Sequence, residues 1–418
     1  MPPPSPVQGR RAGLLLDLAP LRASRDFALL FAARLISMIG VGVLAITVAV
    51  QVFALTGSSI HVALVGACLA AGMMAGLLWG GRMADRTDRR LLILRARSAY
   101  VLVGLILLGN ALLPQPMLWP VVVAALLSGL TGGISAPALM AATPMLVARE
   151  HMPAAAALGS LSMQAGALVG PAIAGVTLGV LGLAGTYALC VAVAAVVPLL
   201  IVRVRPLVPR PGGAPGGPRP PTAGGLLEGL RFAATDRRIA GLLLIDLGVM
   251  VLARPAALFP QIGMERYGGG PAEVGWLHAA LAVGAFVAAM TSGWIGKPGR
   301  AAMVLLGGFL LWGVGIMGLG LSPALVPALI CLALAGYGGA TAEILRGAQL
   351  QIHTPDALRG RVSSLWMMLG TAVPALGGVV AGAAAAWLGL SVAITIGAAL
   401  CLLATLAVAV LLPDSLRS

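Results

Sequence analysis

Long apolar runs, separated by short arginine-rich loops, occupy almost the whole chain. Twelve of them approach or exceed the ~20 residues a helix needs to cross about 30 Å of hydrocarbon. They fall at 27–55, 61–80, 91–113, 117–147, 155–180 and 183–202, then at 239–261, 272–296, 301–321, 324–352, 361–388 and 390–412. Lipid offers no water to backbone polar groups, so each run is predicted as a helix, which satisfies its own N–H and C=O groups. The fourth and tenth runs are long and carry prolines (Pro120, Pro137 and Pro144; Pro327), which predicts tilt or kinks. The pattern is that of an all-α membrane protein with 12 transmembrane helices.

The runs divide into six plus six. Between the sixth and seventh lies a Pro/Gly-rich stretch, RPLVPRPGGAPGGPRPPTAGG, which cannot pack a core. Leu226, Leu227, Leu230, Phe232 and Ala233, with Glu228 and Arg231 interspersed, predict a short amphipathic helix after it. The expected organisation is an N-terminal segment 1–26, a six-helix bundle 27–202, a linker 203–238, a second bundle 239–412 and a tail 413–418. The halves echo each other: Pro171 and Gly175 in the fifth run match Pro374 and Gly378 in the eleventh, both offset by 203 residues. Related six-helix halves fit a transporter with a site at the repeat interface.

Composition narrows the class. The chain has 418 residues, 59% of them hydrophobic and 10% charged, and its mean hydropathy is +1.01. No large soluble domain fits beside twelve spans. A net charge of +14 could mark a nucleic-acid binder, but the basic residues are strung along interspan loops, so no nucleic-acid partner is expected. Nearly all of the 27 lysines and arginines, Arg95 and Arg97 counted among them, fall on one side, and Arg266 stands on the other. The preference of Arg and Lys for the cytoplasmic side then puts both termini and the linker on the cytoplasmic face of the membrane. No cleavable signal peptide is expected. Cys68, Cys190, Cys331 and Cys401 lie far apart without metal-ligand spacing, so neither a disulfide framework nor a metal site is expected. No P-loop, zinc motif or nucleophile elbow is present, which argues against direct use of ATP and against an enzyme.

Two motifs carry more specific information. Between the second and third runs stands GGRMADRTDRR, with Gly81, Asp85, Arg86, Arg89 and Arg90 at the positions of G-x-x-x-D-[RK]-x-G-[RK]-[RK]. This resembles the signature of the major facilitator superfamily, with Asp88 where the signature has glycine. The resemblance implies a gating turn in which Asp85 latches one conformation against a helix N-terminus or a nearby arginine. In the fifth run Gly166, Gly170, Pro171 and Gly175 resemble the superfamily's antiporter motif, with Ala174 in place of a glycine. Small residues there let backbones touch, and Pro171 bends the helix.

Charges inside the spans are costly and should face the bundle interior. They are Arg34, Asp246, Arg254, Glu343 and Arg346. A rise of 1.5 Å per residue puts Arg34 and Asp246 about 10 Å from the arginine-rich end, Arg346 about 9 Å, Glu343 about 14 Å and Arg254 about 22 Å. Glu343 and Arg346, three apart, share a helix face, and Asp246 lies at a depth to pair with Arg346. A carboxyl that gains and loses a proton as its surroundings change can couple transport to protons. Asp246 and Glu343 are the candidates, against the alternative of a structural ion pair. Arg34, Arg254, Arg346, Gln164 and Trp366 are the candidate lining of the substrate cavity.

Further segments, LLFAARLISMIGVGVLAITVAVQVFALTGSS, GNALLPQPMLWP, ALMAATPMLVARE and QLQIHTPDALRGRVSSLW, are similar to the enterobactin-type siderophore exporters of this superfamily. That resemblance implies a major facilitator fold of two six-helix pseudo-repeats. It also implies efflux of a small molecule, most readily a catecholate siderophore, driven by the proton motive force without a bound cofactor. The expected partners are that substrate and the lipid bilayer, here implied to be a bacterial inner membrane, with the chain working as a monomer. A macrolide or multidrug exporter of the same superfamily is the alternative, which the shared motifs separate poorly.

Overall fold

The structure is a computed structural model, and it describes residues 18–148, 151–208, 247–249, 251–291, 301–353 and 356–411. Its elements are α1 (Ala19–Ala23), α2 (Arg25–Thr56), α3 (Ser59–Arg86), α4 (Arg89–Ala111), α5 (Leu118–Leu146), α6 (Met152–Val202), α7 (Pro271–Met290), α8 (Ala301–Leu321), α9 (Leu325–His353), α10 (Asp356–Leu388) and α11 (Leu390–Leu411). Among the described residues nine helices are long and apolar enough to cross a membrane. No more than 44% of any of their apolar windows is buried inside the protein, so most of these side chains need an apolar solvent around them.

The remaining crossings are accounted for helix by helix. At 51 residues, α6 would be about 77 Å long if straight, far more than a bilayer core. It reverses at Gly182 (φ 66°, ψ −172°), a conformation essentially restricted to glycine. Arg89 and Arg90 show that it starts and ends on one face. Arg89 bonds to the end of α5, from which α6 begins, and Arg90 bonds to the end of α6. The fifth and sixth runs are therefore the two arms of α6. The eleventh is α10. The seventh is described at 247–249 and from 251 onward. These make up twelve spans.

The seventh span is not the uniform helix its hydropathy predicts. It breaks at Ala253 and Arg254, continues as a 3-10 turn (Pro255–Leu258), and ends in a π-turn (Ile262–Arg266). Pro255 is the cause, since a proline disfavours helical geometry in the residue before it, and Arg254 sits at φ −117°, ψ 84°. The break frees the Ala253 carbonyl, which accepts a hydrogen bond from the Trp312 indole at 2.9 Å. The 203–238 linker and its amphipathic segment lie outside the described residues apart from 203–208.

The two halves repeat one packing scheme. In the first, α2 packs on the first arm of α6, α3 on α5, and α4 on α5 and α6; in the second, α7 packs on α9, α8 on α9 and α11, and α10 on α11. Glycines set the close approaches at equivalent places. Gly72, Gly76 and Gly80 of α3 meet the backbone of α5 around Gly133, and Gly284 of α7 meets α9 beside Gly336. Among the described residues, positive φ occurs at four glycines: Gly57 and Gly268 in the first turn of each half, Gly182 and Gly389 in the last. The fold is all-α, built of two six-helix pseudo-repeats.

Candidate functional site

The signature sequence lies mostly on helix. α3 runs on to Arg86, so Gly81, Asp85 and Arg86 occupy its last turns, and only Thr87 and Asp88 connect it to α4. Asp88 takes an ordinary backbone conformation (φ −57°, ψ 116°), so glycine is not needed there. It caps α4, accepting from the Arg90 N–H at 2.9 Å, and also accepts from the Leu207 N–H at 2.9 Å. The arginines hold helix C-termini: Arg89 donates to the Ala141 carbonyl at 2.9 Å, and Arg90 to the carbonyls of Ile201 (3.3 Å) and Val202. Arg205, paired with Asp26 at 3.4 Å, donates to the Met145 carbonyl at 3.1 Å. The arginine-rich face of the first half is thus a clamp on the ends of α5 and α6. The Asp85 side chain lies outside the described residues, while Gly81 is buried and Arg86 exposed.

The glycines of the second motif work on two faces of α6. Gly166 and Gly170 touch α2: a Cβ on Gly166 would stand 2.6 Å from the Met38 carbonyl oxygen, and one on Gly170 2.7 Å from the Gly42 Cα. Ala174, fully buried, accommodates the Cβ that a glycine would lack. Pro171 and Gly175 face the other half. A Cβ on Gly275 of α7 would meet the Pro171 carbonyl oxygen at 2.8 Å and the Gly175 Cα at 3.0 Å. The counterpart seam joins α3 to α10, where a Cβ on Gly382 would stand 2.9 Å from the Ile60 Cα and one on Gly378 3.7 Å from the Ala63 Cβ. The Ser59 hydroxyl adds a hydrogen bond of 2.9 Å to Gln261 Oε1, and the Gln261 amide donates to Glu265 at 2.9 Å. Both seams lie toward the face away from the arginine clamp.

The charges within the spans fall into two groups. In the second half Glu343 stands on α9 two turns beyond Gly336 and is exposed, not enclosed as expected of a charge within a span, and Arg254 sits at the break in the seventh span. Arg346, one turn further along α9, is buried. In the first half Arg34 is half-buried on α2, beside Gly159 of α6, where an added Cβ would stand 3.1 Å from its Nη1. Gln164 is half-buried on the same arm of α6. Asp246 lies outside the described residues, as does the side chain of Trp366 on α10, so the pairing of Asp246 with Arg346 does too.

One charged residue escaped sequence reasoning. Arg97, counted with the loop arginines, lies inside α4, is only 8% exposed, and donates from Nη1 to Ser37 Oγ at 2.6 Å. The signal was available: the third apolar run starts at 91, and Arg97 is nearly two turns inside it. Arg266, the outlier on the sparsely charged side, has a structural reason. It donates to the carbonyls of Gly320 (2.9 Å) and Ser322 (2.8 Å), closing the C-terminus of α8.

Known proteins share this architecture and, in part, this sequence. A crystal structure of a POT family transporter in complex with a thioalcohol-conjugated peptide superposes with a TM-score of 0.75 at 14% identity, covering 94% of this chain and 96% of that one. The nucleoside transporter NupG superposes with a TM-score of 0.69 at 12% identity, covering 92% and 98%. The human organic anion transporter MFSD10 (TETRAN) gives 0.64 at 15% identity, covering 93% and 99%. These likenesses show the fold. Sequence similarity goes further: proteins named enterobactin exporter EntS from Shigella boydii serotype 18 (strain CDC 3083-94 / BS512) and Escherichia coli O81 (strain ED1a) are each 32% identical over 305 residues, 72% of this chain and 71% of theirs. The family described as transmembrane secretion effector matches residues 16–415. The chain is a multi-pass membrane transporter, and it belongs to the transmembrane secretion effector family, in the enterobactin-type exporter group of the major facilitator superfamily.

Proposed function

We propose that this transporter exports a siderophore, with the catecholate type favoured, from the cytoplasm by alternating access driven by the proton motive force. The observation that carries the reading is the 32% identity, over 72% of the chain, to proteins named enterobactin exporter. The arginine-rich face belongs in the cytoplasm by the preference of basic loops for that side. The glycine seams then lie on the outer side, which supports a resting state closed to the outside and loaded from within. Substrate enters beside Arg34 and Arg346. The halves rock about the seams, with the turn carrying Asp85 as the inner latch. A proton taken up by Asp246 or Glu343 accompanies release, and its loss to the cytoplasm resets the cycle.

Deletion of the gene should abolish siderophore in the medium while the intracellular pool rises. Expulsion of many unrelated drugs with unchanged siderophore would favour the macrolide or multidrug reading instead. In proteoliposomes with an imposed pH gradient, Asp246→Asn or Glu343→Gln should reduce proton-coupled export by about a hundredfold or more, the range a positioned acid–base group commands. Full coupled export in both variants would sink the assignment of the coupling acids.

A further inference from the structure

The break in the seventh span borders a slot of about 90 Å³ between that span, α8, α10 and α11. We infer that this slot is a binding site for an anionic phospholipid, which lays one acyl chain in the slot and sets its phosphate on Arg254 at the mouth. Such a site belongs to the leaflet away from the arginine clamp and is independent of what the transporter carries.

The slot runs inward from the Gly389 turn. Its walls extend from Leu388 to Val380 on α10 and from Ala393 to Leu400 on α11. That is about 10–12 Å of helix, most of one leaflet of a core about 30 Å thick. Small side chains make the room: Ala381 and Ala384 share one face of α10, and Ala393 and Gly397 one face of α11. Along the rim Val380, Leu388, Ile396 and Leu400 are exposed, so the slot opens sideways to lipid. It holds roughly six water-sized groups, room for a stretch of acyl chain but not for a headgroup. Arg254 supplies the place for the headgroup. A Cβ on Gly397 would strike the Leu252 carbonyl, which fixes the level of the seventh span against α11. Arg254, two residues nearer the Gly389 turn, then lies about one turn below the start of α11, within reach of the phosphates for a snorkelling arginine. Among the described residues it is the one charged group lining the slot, and the one ion pair present joins Arg205 to Asp26. A guanidinium in an apolar wall that no acid lines is stabilised by an anion brought from outside.

The test uses the full chain in phosphatidylcholine nanodiscs that carry a minor fraction of lipid with brominated acyl chains, either phosphatidylglycerol or phosphatidylcholine. Bromine quenches a nearby indole. Trp312, which bonds to the Ala253 carbonyl in the wall of the slot, is the reporter, read as the difference between wild type and Trp312→Phe. At equal fractions, brominated phosphatidylglycerol should be enriched at Trp312 about fivefold over brominated phosphatidylcholine, the weight of one arginine meeting an anionic lipid. Arg254→Gln should bring the two lipids within about twofold, while Arg254→Lys keeps part of the preference because the charge remains. Ala384→Phe fills the slot and should remove the quenching by both lipids. Equal quenching by the two lipids in the wild type, or a preference that survives Arg254→Gln, overturns the site. Should Arg254→Gln not fold, Ala384→Phe decides: undiminished quenching places the lipid elsewhere and overturns the proposal. Relief of the phosphatidylglycerol quenching by added 2,3-dihydroxybenzoate would give Arg254 to the cargo and overturn it as well.

Discussion

Asp88 stands where the superfamily signature carries glycine, and it does work a glycine cannot. Its carboxylate caps α4 and fastens the chain leaving α6 through the Leu207 N–H. Asp88→Ala should lower stability by about 1–2 kcal/mol, the usual cost of a lost N-cap, and Asp88→Asn should retain most of it. Thermal unfolding in detergent checks both, and equal melting temperatures for wild type and Asp88→Ala would refute the capping role. Arg97 shows how a residue is misread from its neighbours in sequence. It follows a run of loop arginines, but the helix carries it into the bundle, where Ser37 receives it. Buried side-chain partners sixty residues apart leave no trace in local pattern, so only its depth inside an apolar run betrayed it.

At the level of elements the apolar runs decided the number and approximate place of the helices, because lipid enforces helicity on any stretch that long. The hydropathy pattern also separated the two arms of α6, although one glycine is all that turns the chain between them. What hydropathy could not register was the interruption of the seventh span, since every residue from 255 to 262 is apolar or glutamine and the cause is a proline's backbone geometry. It was equally blind to the helix ends. Arg89, Arg90 and Arg266 read as topogenic charge or as an exception to it, yet each neutralises carbonyls at a helix C-terminus. Gly182→Ala should destabilise the protein by about 1–3 kcal/mol, because its φ and ψ lie where a Cβ is strained. No neighbour lies within 4 Å of the added atom, so the cost is conformational and not a clash. A melting temperature unchanged by this substitution would mean that the reversal is made elsewhere.

On the scale of the whole molecule, the halves are joined by two equivalent seams, α6 with α7 and α3 with α10. The proposed alternating access requires these seams to part. The Ala63 Cβ and the Cβ position of Gly378 are 3.7 Å apart, the spacing of a disulfide. Ala63→Cys with Gly378→Cys, in a background lacking Cys68, Cys190, Cys331 and Cys401, should cross-link under oxidation and stop export, and reductant should restore it. Undiminished transport by the cross-linked protein would exclude opening along this line. Gly275→Val should act in the opposite sense. Crowding the Pro171 carbonyl costs about 1–3 kcal/mol in the sealed state, and should raise labelling of outward-facing cysteines by a membrane-impermeant thiol reagent.

At Gly275 against Pro171, and at Gly382 against Ile60, the seams bring main chain against main chain. Such a closure is blind to cargo: peptide groups are the same in every protein and offer no shape or charge by which one molecule is told from another. In the proposed cycle, discrimination would therefore be complete before the door moves. Changes at the door will alter how often it opens for every passenger alike, and a transporter retuned to a new compound must be rewritten in its pocket instead.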